Sequence, residues 1–288
     1  MATNKSKTGV TFSRHVAPFA PLALALAMTA VPPPAVGPPT EAAVTCDEVL
    51  DFQDCHTRYP AGCSAGAGYD PALNLLKNAL IPPPGPDPVK YLSREDFKNL
   101  DAGTPSGLTA HNHEEFEAAL KDMGEGQSYG IVGYLYYFQH TGAESTNCQL
   151  TGPTGESDPQ ENYANVDYHL GIGFDPPPAK MGKQDAQENS VIVEMTPYSR
   201  FLYEDRIWTL DNLKKAQGKL VRVVGQLMVD SEHNVPTQNC ALAKTQGEST
   251  KCWRASAWEL HPVVRFQVCP TNSCTAVSQD WLDLGQLP

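Results

Sequence analysis

Two hydrophobic rhythms divide this chain. Up to Gly124 the apolar residues recur at helical spacing. From Ser128 onward they alternate with polar residues or run together in tyrosine-rich and β-branched stretches. In the first part, Asp70 followed by Pro71 is a cap and a first-turn proline. Leu73, Leu76 and Leu80 give the helix they open one apolar stripe, and IPPPGPDP ends it. A second helix begins at Asn112, with Glu115 at capping-box spacing and Phe116, Ala119, Leu120 and Met123 at helical period until Gly124. On this reading His111 and His113 lie on an exposed first turn. In the second part YGIVGYLYYFQHTG, VDYHLGIGF and VIVEMTP read as strands, with Tyr168, Leu170 and Ile172 on one face and Asp167 and His169 on the other. Polar loops over 151–165 and 175–190 separate them. RFLYEDRIWTLDNLKKAQG then forms a short helix anchored by Leu210 and Leu213. KLVRVVGQLMVDSEHN and CWRASAWELHPVVRFQVC follow as a long hairpin around a polar loop.

Three strands, a helix and two long strands predict a mainly β fold with a small α extension. The arrangement is a five-stranded, partly open OB-like barrel (the oligonucleotide/oligosaccharide-binding shape) with a helix between strands 3 and 4. A β-sandwich would want about seven strands. The expected boundaries are a signal peptide over 1–30, a Pro/Ala-rich linker over 31–45, a cysteine-containing helical extension over 46–127, the barrel over 128–275 and a C-terminal tail over 276–288.

Composition changes the picture in two ways. Lys5, Lys7 and Arg14 precede VAPFAPLALALAMTAV, a basic segment and then an apolar one of about sixteen residues, shorter than a bilayer needs. That is the layout of an export leader, with cleavage expected near Thr29 and Ala30. Residues 1–30 hold three of the 21 Lys and Arg and none of the 33 acids, so the remainder carries a formal net charge of −15. With no basic cluster to offset it, this charge argues against nucleic acid as a partner. All eight cysteines lie beyond the leader, which matches a secreted or extracytoplasmic protein with up to four disulfides. Proximity pairs Cys240 with Cys252 and Cys269 with Cys274; Cys46, Cys55, Cys63 and Cys148 remain open.

The runs ESTNC (144–148), DYH (167–169), VIVEMTP (191–197), VRVVGQLMVDSEH (221–233) and RASAWELHPV (254–263) resemble those of a family of exported, largely uncharacterised proteins. The resemblance covers about 128–269 and is most specific at WELHPV. It implies a single OB-like barrel and carries over no reaction, ligand or catalytic residue.

Strand parity groups the chemistry. Asp167 and His169 share a face, Glu194 lies opposite the apolar set of its strand, and Glu259 and His261 share a face opposite Trp258 and Leu260. Asp230, Glu232 and His233 end the fourth strand. Imidazole and carboxylate groups brought together in this way can hold a divalent metal ion or exchange protons near neutral pH. The candidate metal ligands are Asp167, His169, Asp230, His233 and His261, and the candidate catalytic residues are Glu194, Glu259 and His261. Glu144, Asn147 and Trp258 are candidates for ligand contact. The same residues also suit a purely structural role, since polar groups on a half-buried sheet satisfy one another. Two functions follow: an exported, disulfide-stabilised binding or interaction module for a small molecule, glycan or protein, or a metal-assisted hydrolase using the His/Asp/Glu set. No cofactor other than that divalent ion is expected. No HExxH motif is present.

Overall fold

Alternation of apolar residues builds a barrel. The computed structural model describes residues 45–64, 66, 69–79, 89–152, 163–204, 207–247 and 251–288. The expected signal peptide and all but the last residue of the linker lie outside the described residues. β1 (Ser128–His140) pairs antiparallel with β2 (Tyr168–Gly173) and with β4 (Leu220–Val229). β2 continues to β3 (Ser190–Met195), and β4 to β5 (Trp258–Val268). A parallel contact between Val193 and Leu260 joins β3 to β5. The five strands therefore form a closed mixed barrel, where a partly open one was expected. A short sixth strand, β6 (Leu282–Asp283), lies along β5.

Two glycines allow tyrosine rings to lie flat across β2. A Cβ at Gly173 would stand 1.8 Å from the Tyr136 ring, and one at Gly171 would stand 2.1 Å from Tyr137. Pro262 sits inside β5, where proline removes a ladder donor. The register skips between Gly225 and Leu227 opposite it, and Gln226 Nε2 donates to the His261 carbonyl at 3.0 Å.

Among the described residues the helices are α1 (Phe52–Arg58), α2 (Pro71–Lys77), α3 (Arg94–Gly103), α4 (His113–Asp122), α5 (Lys183–Glu188), α6 (Pro197–Glu204), α7 (Leu210–Ala216) and α8 (Cys240–Gln246). The pattern missed α3, which opens with a reciprocal capping box between Ser93 and Asp96. The box expected at Asn112 does not form, because the side-chain Oδ1 of Asn112 accepts from the Thr109 amide at 2.7 Å instead. The one helix expected between β3 and β4 is two. Asp70 caps α2 as expected, but the buried face of α2 is largely polar: Leu73 is joined there by Asn74 and Lys77, while Leu75 is exposed. Leu80 lies outside the described residues.

The extension and the barrel share one core. Leu92, Phe97, Leu108 and Leu120 pack with Ile131, Leu170, Val193, Leu260 and Phe266. The C-terminal stretch is likewise no tail, since Leu284 and Leu287 enter that core and Trp281 is buried. Burying one such side chain contributes roughly 1.5–3 kcal/mol. Four disulfides join Cys46–Cys63, Cys55–Cys148, Cys240–Cys252 and Cys269–Cys274. The last two are the pairs expected from proximity. Among the described residues no helix is long and apolar enough to cross a membrane.

Candidate metal and acid–base site

The core takes Tyr168, Leu170, Val193, Met195, Trp258 and Leu260, so parity sends Asp167, His169, Glu194, Glu259 and His261 to the opposite face. An isolated barrel would expose that face to water. Here the extension covers it. The Cys55–Cys148 disulfide holds α1 against the turn at Ser145–Asn147, and Asn74 of α2 donates to Ser145 Oγ at 3.0 Å. Gln226 Nε2 also donates to the Leu76 carbonyl of α2 at 2.8 Å. Asp167, Glu194, Glu259, His261, Asp230 and Arg254 are consequently all buried. The ordinary polar face expected of a half-buried sheet is not what these strands present.

His261 is the hub. Its Nδ1 hydrogen-bonds Glu259 Oε1 at 3.1 Å and lies 3.2 Å from Glu194 Oε2, while its Nε2 lies 3.7 Å from Asp167 Oδ2. Asn147 donates to the other Asp167 oxygen at 2.9 Å. His169 is the cross-strand partner of Glu194, with Nε2 2.8 Å from Oε1, though the two are not aligned as a hydrogen bond. A second half adjoins this one. Arg254 Nη1 donates at 3.1 Å to both Glu259 Oε2 and Asp230 Oδ2, and Asp230 also meets His233 Nδ1. Five buried atoms in the first half lack a hydrogen-bond partner: Asp167 Oδ2, His169 Nε2, both Glu194 oxygens and His261 Nε2. Asp230 Oδ1, Arg254 Nε and Arg254 Nη2 in the second half lack one as well. Buried polar atoms are ordinarily satisfied, so their concentration across the cluster is the site's distinguishing feature.

The two halves differ electrostatically. Burial, then the Glu259 carboxylate, pushes Glu194 well above the usual carboxylate range. Burial, then Glu144, raises Asp167. Burial tends to lower His261, but Glu194, the Glu259 hydrogen bond and Asp167 outweigh it and leave it raised. His169 is lowered by burial. In the other half burial and Asp230 work against ionisation of Glu259, yet Arg254 and His261 hold it low. Burial also opposes ionisation of Asp230, but His233, Lys77 and Arg254 hold it well below its ordinary value.

Glu194 and His169 face a polar cavity of about 530 Å³, lined also by Lys77, Glu144, Glu232, His233 and Trp253. One wall of the buried cluster therefore opens to a space that a small substrate can enter. Asp167, Glu194 and His261 bring ligand-type atoms within 4.8 Å of one another, as do Asp230, Glu232 and His233. Glu144 lines the cavity, whereas Asn147 is committed to Asp167. Trp258, a candidate for ligand contact, is instead fully buried, and its Nε1 donates to Thr104 Oγ1 at 2.8 Å.

Three participants were missed. Arg254 and Lys77 are buried cations, and the stretches CWRAS and LLKNAL carry no signal of it. The third is His113, placed on an exposed turn from its position in α4 but in fact 1 % exposed. It bridges Ser231 Oγ at 3.1 Å and Glu125 Oε2 at 3.0 Å, and Glu125 Oε1 accepts from the Val229 amide. No protein-family model matches the chain, and neither curated proteins nor solved structures provide a match.

Proposed function

We propose that this protein is an exported metal-assisted hydrolase with a divalent-cation site at Asp167, Glu194 and His261. The observation that carries the reading is the set of buried ligand atoms without hydrogen bonds at Asp167, Glu194 and His261, of which Glu194 lines the polar cavity. Ligand atoms sharing a tetrahedral ion at 2.0–2.2 Å stand about 3.4 Å apart, and the separation of 3.7 Å between His261 Nε2 and Asp167 Oδ2 is close to that. Glu259 accepts at His261 Nδ1, the outer-shell carboxylate arrangement that orients a metal-binding imidazole and leaves Nε2 free. A bound divalent ion lowers the pKa of a coordinated water and polarises the bond to be cleaved. His169, which faces the same cavity, would be the residue to accept a proton from that water. The export leader and the four disulfides suit a durable extracytoplasmic enzyme.

One observation favours a second reading. Lys77 and Arg254 already bring two buried positive charges to the cluster. If these suffice, the cluster is a structural knot and the protein is a disulfide-stabilised binding module. Elemental analysis of the oxidised protein, purified without chelator or added metal, separates the two. Near-stoichiometric zinc, manganese or calcium that is lost in Asp167→Asn and Glu194→Gln supports the hydrolase. Absence of binding even after titration with each ion refutes it.

A further inference from the structure

A second cavity, of about 620 Å³, lies on the other side of the segments that wall the polar one. Gln187, His233 and Trp253 face the polar cavity, while Glu188, Asn234 and Ala255, one or two residues onward, face this one. Its chemistry is opposite. The walls are the buried Phe97, Leu108 and Val191 with the half-buried Phe174 and Leu242. At 620 Å³ it falls within the roughly 300–1,000 Å³ of small-molecule sites.

The polar groups within it are occupied. Asp101 Oδ1 accepts from the Ala257 amide at 3.2 Å and from Asn239 Nδ2 at 3.3 Å, and Asn239 Oδ1 caps α8 through the Ala241 amide at 2.9 Å. A polar ligand gains little by reaching inward, and an apolar one loses little. Among the residues lining the cavity, the exposed Arg94, Lys98 and Lys244 stand at its mouth against the half-buried Glu188. Asp101 also lines the cavity, so three cations stand there against two acids, on a chain whose formal net charge is −12. Arg94 and Lys98 are partnered by Asp175 and Glu95 in solvent-exposed ion pairs, which are weak and readily exchanged for a ligand's anion.

We infer that this cavity is a binding site for a small amphipathic carboxylate, its hydrocarbon body between Phe97, Leu108, Phe174, Val191 and Leu242 and its anionic head at Arg94, Lys98 and Lys244. The inference is independent of the metal site. It requires no residue of that cluster, and a protein lacking metal would still bind.

Titration of the full-length oxidised protein with dodecanoate, read by calorimetry, tests it. One saturable site is expected, with dodecylammonium and dodecanol binding at least tenfold more weakly. Leu242→Trp, which fills the cavity from its half-buried wall, abolishes binding. The double variant Lys98→Glu/Lys244→Glu changes only exposed side chains and weakens dodecanoate at least fivefold while leaving dodecanol unchanged. Circular dichroism and thermal unfolding verify that each variant is folded. Absence of saturable binding in the parent protein overturns the inference, as does equal affinity for the cation and the alcohol.

Discussion

Among the described residues, two histidine–carboxylate groups with fully buried members differ in one respect. His113, Glu125 and Ser231 form a closed set: both ring nitrogens and both carboxylate oxygens have partners. His261, Glu194 and Asp167 form an open one, in which buried oxygens and a ring nitrogen have none. The closed set sits between α4 and the turn after β4 and ties them together. The open set sits under a cavity. Residue type and burial are the same in both, so neither identifies a functional site. What separates them is whether the protein itself completes the hydrogen bonds.

The comparison breaks most severely at Arg254, which links the open set to Asp230. Arg254→Leu leaves Asp230 and Glu259 as buried carboxylates without their cation. A loss of about 3–5 kcal/mol in chemical unfolding is expected, whether or not metal is present. The closed set ranks next. His113→Ala strands Glu125 Oε2 and Ser231 Oγ, with an expected cost of about 2–4 kcal/mol that no added ion restores. The open set should behave in the opposite way. Saturating ion raises the stability of the parent protein by about 2.7 kcal/mol at a concentration a hundred times the Kd, and Glu194→Gln removes that gain. Equal ion response in the His113 and Glu194 variants would erase the distinction.

The last expected effect is a pH dependence at Asp101. Burial raises the Asp101 carboxyl to about 6, against hydrogen bonds from Ser256, Ala257 and Asn239 and the charge of Arg254. Between its ordinary 3.8 and about 6 the folded protein binds more protons at this residue than the unfolded chain does. The Asp101 contribution therefore lowers stability as pH rises through that window and levels off above it. Thermal unfolding from pH 4 to 7 should show Asp101→Asn with a flatter profile than the parent.

Much of the barrel was legible because strand alternation is local. The five strands, the hairpin disulfide at Cys240–Cys252 and the shared face of Asp167, His169, Glu194, Glu259 and His261 all follow from a period of two and short separations. The helices were read less well. Helix α3 opens with Ser93 and Asp96, a signal that was present and passed over. In α2 the expected stripe is part of the buried face, with Leu73 buried and Leu76 half-buried, but Asn74 and Lys77 are buried beside it.

The sequence by itself determined which side chains each strand sends to which face, since backbone geometry alternates them whatever surrounds the strand. It could not say whether the polar face meets water or protein. That was decided by the tertiary structure, where the Cys55–Cys148 link, α2 and the Ser145–Asn147 turn bury the carboxylates and imidazoles of three strands together. Burial is a property of contacts between distant segments, and it gives the same few residues either a surface role or a chemical one.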